Sequence, residues 1–333
     1  MDKKWHGLQA GIGFFVYLAV VFCVGAVVSV WAWRWWGADT GGVLATVSPG
    51  RLTRRVLMIA AVLAAPILAR ATRWNGWRDL GLQPAQGTFS RRRAAGYFGR
   101  GLAVGVVTVG LLGGMMLLAG SRTIDPTVRV GVLLGRVFSY ALAGIVISVI
   151  EEPFTRGFLF RPLGRAWGGG RVGWLAAALV ASFVFGAVHF VDPGLAAFNR
   201  PSYWNAVGAV LHECFVPDPL PAHYAIRLVN LTLLGLVLCA WVLRTGTLWY
   251  GIGLHSGVVW VMKVAGYATD QAAEVAQSSV WLSGRADLTD SWSATLVLLA
   301  MLVPWFGGRK RISPAGDETR RPAPAIPTGR RTP

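Results

Sequence analysis

Three groups of polar side chains stand inside otherwise apolar stretches. "ISVIEEPFTRGF", residues 147–158, sets Glu151 and Glu152 side by side with Arg156 four residues on. "FVFGAVHF" carries His189, with Phe185 one turn earlier, and "TGTLWYGIGLHSGVVW" carries His255 and Ser256. An ionised carboxylate at the centre of a bilayer costs roughly 2.5–3.5 kcal/mol on insertion scales, so intramembrane ionisable residues are functional candidates. Glutamate beside histidine is a set for activating water: the carboxylate takes a proton and the imidazole assists.

The spacing assigns roles. Glu152 and Arg156 are four apart, share a helix face and can pair. That leaves Glu151, about 100° round the helix, free for chemistry. Pro153 has no N–H, so the Val149 carbonyl loses its helical partner and the backbone there is expected to kink or to offer a polar group to a wet cavity.

These residues need apolar rods to hold them. The chain has 333 residues, 54% hydrophobic and only 14% charged, with mean hydropathy +0.51. Ordinary soluble domains carry about 25% charged residues, so this is a membrane composition. Sixteen tryptophans, many near the ends of apolar runs, fit interfacial belts. Runs of about the length a span requires lie near 11–33, 55–70, 102–120, 130–155, 172–190, 227–243, 246–265 and 292–306. The expectation is an all-α, polytopic transmembrane helical bundle of about eight spans. The first run follows Lys3 and Lys4 and exceeds the core of a cleavable signal, so it reads as a retained span.

Loop charges set the orientation. Arg78, Arg91, Arg92, Arg93 and Arg100, then Arg161, Arg165 and Arg171, then the tail from Arg309, fall on the same side as Lys3 and Lys4. Both termini are therefore expected in the cytoplasm, and the expected location is a cell inner membrane, multi-pass. Arg51, Arg54 and Arg55 run against the rule. The net charge of +17 is absorbed by this topology and by anionic headgroups, and no nucleic-acid partner is expected. The run "SRRRAAGYFGR" reads as an interfacial segment touching anionic lipid. Four regions follow: 1–125, the first spans and a basic loop; 126–270, a core holding the polar set; 271–308, a loop and last span; and 309–333, a basic tail expected to be disordered.

No metal is expected. Cys23, Cys214 and Cys239 form no CxxC or zinc spacing. There is no HExxH, and "LHECF" at His212 is a poor substitute. His212, Glu213, Cys214, Asp218 and His223 read as a polar loop.

"EEPFTRG" resembles the EExxxR motif of the CAAX protease and bacteriocin-processing family, also called the CPBP or abortive-infection family of intramembrane proteases, which includes the type II CAAX prenyl endopeptidases. "FGAVH" is similar to its FxxxH motif, and "TGTLWYGIGLHSG" to the approach to its HxxxN motif. The resemblance runs over about residues 135–262 in the right order, and "WRDLGL" near residue 80 is typical upstream. It implies peptide-bond hydrolysis in or beside the membrane, on a membrane-associated protein or peptide. Glu151 would activate water with His189 assisting, His255 would stabilise the oxyanion, and Glu152, Arg156 and Phe185 would support the site. Members have been labelled metalloproteases, but glutamate plus histidine needs no metal, and no cofactor is expected.

Two positions depart from the family pattern. Val259 stands where an asparagine is expected, and losing one oxyanion donor can cost about 10²–10³ in rate. Ser256 and Asn230 are candidates to replace it. Thr155 stands where a bulky apolar residue usually precedes the arginine. The reading from another class is a non-enzymatic membrane protein, a protease-like binding partner or a transporter, using the same buried residues. Depth poses one geometric question. Glu151 and His255 each lie about 14–15 Å from the inner end of their rods, whereas His189 lies about 22–27 Å along its own.

Overall fold

The computed structural model describes residues 3–37, 47–71, 77–83, 90–215, 222–271 and 290–307. The expected basic tail lies outside them, as do Asp218 and the side chain of His223. The elements, in order, are α1 (Lys3–Trp36), α2 (Pro49–Ala71), α3 (Arg91–Leu118), β1 (Arg122–Ile124), α4 (Val130–Glu152), a π-helical segment (Pro153–Phe160) and α5 (Arg161–Ala166). Then follow α6 (Arg171–Val188), α7 (Leu195–Phe198), α8 (Tyr203–Phe215), α9 (Ala222–Thr245), α10 (Trp249–Ala268), β2 (Thr269–Gln271) and α11 (Trp292–Gly307). This is a helical membrane bundle.

The expected count of eight spans is not confirmed. Six helices among the described residues are long and apolar enough to cross a bilayer. The seventh and eighth runs are helical but fall short. His255, Ser256 and Lys263 dilute the apolarity of α10, and α11 has only 16 residues. The fourth span runs from Val130 to Ala166 as one rod of 37 residues, so Glu151 and Glu152 sit within it, not at its end.

The basic loops gather at one end of the bundle. Gly11 of α1 faces Leu163 of α5, and the turn at Trp77–Leu82 lies over Arg161 and the start of α10. The Leu248 amide donates to the Gly81 carbonyl at 2.8 Å, and the Trp249 indole donates to the Leu82 carbonyl at 2.8 Å. Gly81 has φ +81°, and a Cβ there would collide with the Arg161 guanidinium, so only glycine suits the position. Beside this end, Ser90, Arg92, Arg93, Tyr97 and Arg100 line an open cavity of about 630 Å³. The opposite end is closed by the antiparallel β1–β2 pair and by α7–α8 packed on α1. Arg54, which breaks the loop-charge rule, there meets Asp192 at 2.6 Å.

Small residues set the distances between the rods. Gly101 and Gly105 of α3 face the Tyr250 and Leu254 carbonyls of α10, and Gly253 and Gly257 of α10 face the Phe98 and Leu102 carbonyls of α3. Two GxxxG pairs thus interlock, as packing in lipid requires when no hydrophobic drive is available. On the next side of α10, Gly144 of α4 faces the Ser256 carbonyl. His255 is therefore carried by a helix clamped at backbone distance on two sides.

Candidate active site

The glutamates owe their place to the continuous rod, and Pro153 changes its winding. With no N–H at 153, the ladder slips from four-residue to five-residue spacing. The segment ends with the Arg161 amide donating to the Arg156 carbonyl five residues back. Such π segments recur at functional sites. The residue at the slip, Pro153, keeps helical angles, φ −58° and ψ −39°.

Arg156 is the organising cation. It is fully buried and donates through Nη1 to Glu152 Oε1 at 3.1 Å and to Thr155 Oγ1 at 2.5 Å. Its Nη2 reaches the Gly235 carbonyl of α9 at 3.4 Å. Its Cζ stands 4.3 Å from the centroid of the Phe185 ring on α6, where a desolvated guanidinium is attracted to the ring face. One side chain thus joins three rods.

Glu152, also fully buried, spends the same Oε1 on a second donor. His255 Nδ1 lies 3.0 Å away. A carboxylate accepts, so Nδ1 carries the proton and Nε2 is turned to the other side of the ring. There it meets Glu151 Oε2 at 3.9 Å. Gly251, one turn before His255, permits this approach, because a Cβ there would lie 3.3 Å from Glu152 Oε2. Glu152 is paired with Arg156 and His255, whereas Glu151, with its side chain 29% exposed, has no hydrogen-bond donor on Oε2 among the described residues.

His189 lies one aromatic ring away. It ends α6, donates from Nδ1 to the Phe185 carbonyl at 2.7 Å and packs edge-on to the Phe185 ring at 4.7 Å. Phe185 in turn meets His255 edge-on at 5.5 Å. No hydrogen bond or ion pair links His189 to Glu151 among the described residues. The depth question is thereby answered: α6 begins at Arg171, Phe185 is the residue level with Arg156, and His189 is a turn farther along.

The proposed substitutes for the missing asparagine are occupied. Ser256 Oγ donates to the Ile252 carbonyl of its own helix at 2.6 Å. Asn230 donates to the Ser291 carbonyl at 2.9 Å and accepts from Thr295 Oγ1 at 2.6 Å, tying α9 to α11. Val259 is half-buried.

Thr155 was not singled out for any role. Its hydroxyl accepts from Arg156 and donates to the Glu151 carbonyl at 2.8 Å. The spacing from Glu151 to Thr155 is that of a helical back-bond, a signal present in the sequence. Tyr17 of α1 was missed as well: it stacks on Phe154 of the π segment at 5.7 Å, and nothing in the sequence pairs those two.

Residues 133–261 match the family model described as Rce1-like, type II CAAX prenyl endopeptidase Rce1-like. Over those residues the chain is similar to that family of proteases. No curated protein and no solved structure matches the chain. The match begins inside α4 and ends inside α10, so it takes in Glu151, Glu152, Arg156, His189 and His255 and leaves out α1 and α3, which brace them. Among the described residues no three His, Cys, Asp or Glu side chains are grouped to hold an ion. In α8, Glu213 accepts from the Gly194 amide at 2.7 Å. Burial, and then Glu213 beside it, pushes the Cys214 thiol up to about 12.

Proposed function

We propose that the chain is an intramembrane endopeptidase in which Glu151 activates water and His255 stabilises the oxyanion. The family match supports a CAAX-protease type of function and a membrane-associated substrate. The observation that carries the finer reading is the facing pair, Glu151 Oε2 and His255 Nε2 at 3.9 Å. Two groups so placed can both reach one water about 3 Å from each.

The step balances without a cofactor. Glu151 takes a proton from water as its oxygen attacks the carbonyl carbon, and the tetrahedral intermediate carries the negative charge on its oxygen. His255, protonated on both nitrogens, donates from Nε2 to that oxygen while Nδ1–H stays on Glu152. The two anions of that intermediate, the Glu152 carboxylate and the oxyanion, are matched by Arg156 and His255, the pairing that buried charges need. Glu151 then passes its proton to the leaving nitrogen as the C–N bond breaks, releasing an acid and an amine. His189 extends the wall of the site, with Nε2 left over to orient the water or substrate. Cleavage of membrane-anchored peptides by purified protein, lost in Glu151→Gln with the fold intact, is the expected result; undiminished cleavage removes Glu151 from the mechanism.

Val259 favours a second reading, a protein that binds the same substrates without cutting. Saturable peptide binding by the wild type with no hydrolysis would establish it.

A further inference from the structure

Arg161 is a buried cation that catalysis does not use. It is only 8% exposed, and its Nη1 has no hydrogen-bond acceptor among the described residues. Among the described residues no carboxylate lies within ion-pair distance of it. Asp79 acts on it electrostatically but is engaged by Arg165 at 3.6 Å. That contact is long and half-exposed, the kind of pair that contributes little. Two guanidiniums one turn apart on α5 thus face one carboxylate, leaving a positive charge in a place nearly closed to water. A buried charge without a partner is costly. The carboxyl end of α5 offsets only part of it, and its partial charge favours Arg165, in the last turn.

The position indicates what is missing. Trp167 and Trp77 are about half-exposed at this end, where interfacial tryptophans mark the headgroup level. Arg161 lies six residues inside Trp167, about 9 Å along the helix, and an arginine stem can carry its head toward such an interface. Basic pockets between helices at such a level take anionic headgroups, and a guanidinium fork suits a phosphate.

We propose that Arg161 and Arg165, beneath the Trp77–Leu82 turn, form a binding site for a phosphate, supplied by an anionic lipid headgroup of that leaflet. The site joins both halves of the catalytic set. Arg161 continues the rod that carries Glu151 and Glu152, and the turn holds the start of α10, which carries His255. Phosphate bound there fastens the two rods to each other.

The test is thermal unfolding of the full chain in phosphatidylcholine nanodiscs, with and without phosphatidylglycerol. A ligand that binds only the folded state raises the midpoint. A rise of a few degrees is expected for the wild type, none for Arg161→Gln and a larger one for Asp79→Asn, which removes the competing carboxylate. If Arg161→Gln does not fold, Asp79→Asn decides: a shift no larger than wild type overturns the site. So does an equal shift in Arg161→Gln, or none in the wild type. An equal rise from inorganic phosphate in phosphatidylcholine alone supports the site with a soluble source. Since the readout is unfolding, its failure leaves the protease reading untouched, and the reverse.

Discussion

Glu152 and His255 come from different rods, 103 residues apart in the chain, and meet at 3.0 Å with neither side chain open to solvent. The contact fixes which imidazole nitrogen faces Glu151. It also makes Glu152 a double acceptor, since Arg156 uses the same oxygen. In the proposed mechanism Glu152 is a positioning residue, and stability and catalysis would be joined in it.

Glu152→Ala should therefore lower stability by about 3–5 kcal/mol, because it leaves the Arg156 charge buried and alone. Glu151→Gln, at a partly exposed side chain with no donor, should change stability by less than about 0.5 kcal/mol while removing activity. Unfolding midpoints of the two variants in one detergent separate them; equal losses of stability would contradict the division of roles.

Thr155→Val removes an acceptor from Arg156 and a donor to the Glu151 carbonyl. A cost of about 1–3 kcal/mol is expected for the donor left unmet, with a fall in kcat as the Glu151 backbone loosens. Thr155→Ser should recover both. Cleavage rates for the three forms check it, and a fully active Thr155→Val would make the hydroxyl incidental.

Gly257→Ala should push α10 off α3, since its Cβ would come within 2.5 Å of the Leu102 carbonyl and 2.9 Å of the Val106 nitrogen. Overpacking of that kind costs about 1–3 kcal/mol. Gly110→Ala, where a Cβ meets nothing, should be neutral or stabilise the helix by about 0.5–1 kcal/mol. Midpoints for both variants, measured side by side, test whether the α3–α10 seam is as tight as the geometry requires.

Val259→Asn restores the side chain of the family pattern one turn after His255. If that asparagine donates to the oxyanion, kcat should rise, by up to about 10²–10³, with little change in KM. A side-by-side kcat and KM determination decides; an unchanged kcat would mean the oxyanion is stabilised without that position.

Much of the site was legible in the sequence because it was written in local spacing. Glu152 and Arg156 lie four apart and pair, and Pro153 announced a break in the backbone ladder. The form of that break, a slip to five-residue spacing instead of a bend, depends on what packs around the rod. The place of His189 could not be read either, since helical rise gives depth but not which residue of a turn meets its neighbours; Phe185 took that place. The span count stays unconfirmed at α10 for a related reason. The polar residues of the candidate site lower the apolarity by which a span is recognised. The glycines at 101, 105, 253 and 257 were visible as a pattern, but their partners became known only when the rods were brought together.

The rod from Val130 to Ala166 has a further consequence. Thirty-seven residues at 1.5 Å each would reach about 55 Å, against roughly 30 Å of hydrocarbon. Such a rod must lean, emerge, or deform the sheet of lipid around it. For the proposed protease, bilayer thickness then becomes an input: the acyl-chain length of the host membrane would set how deeply Glu151 is submerged and which bond of an anchored substrate is presented to it.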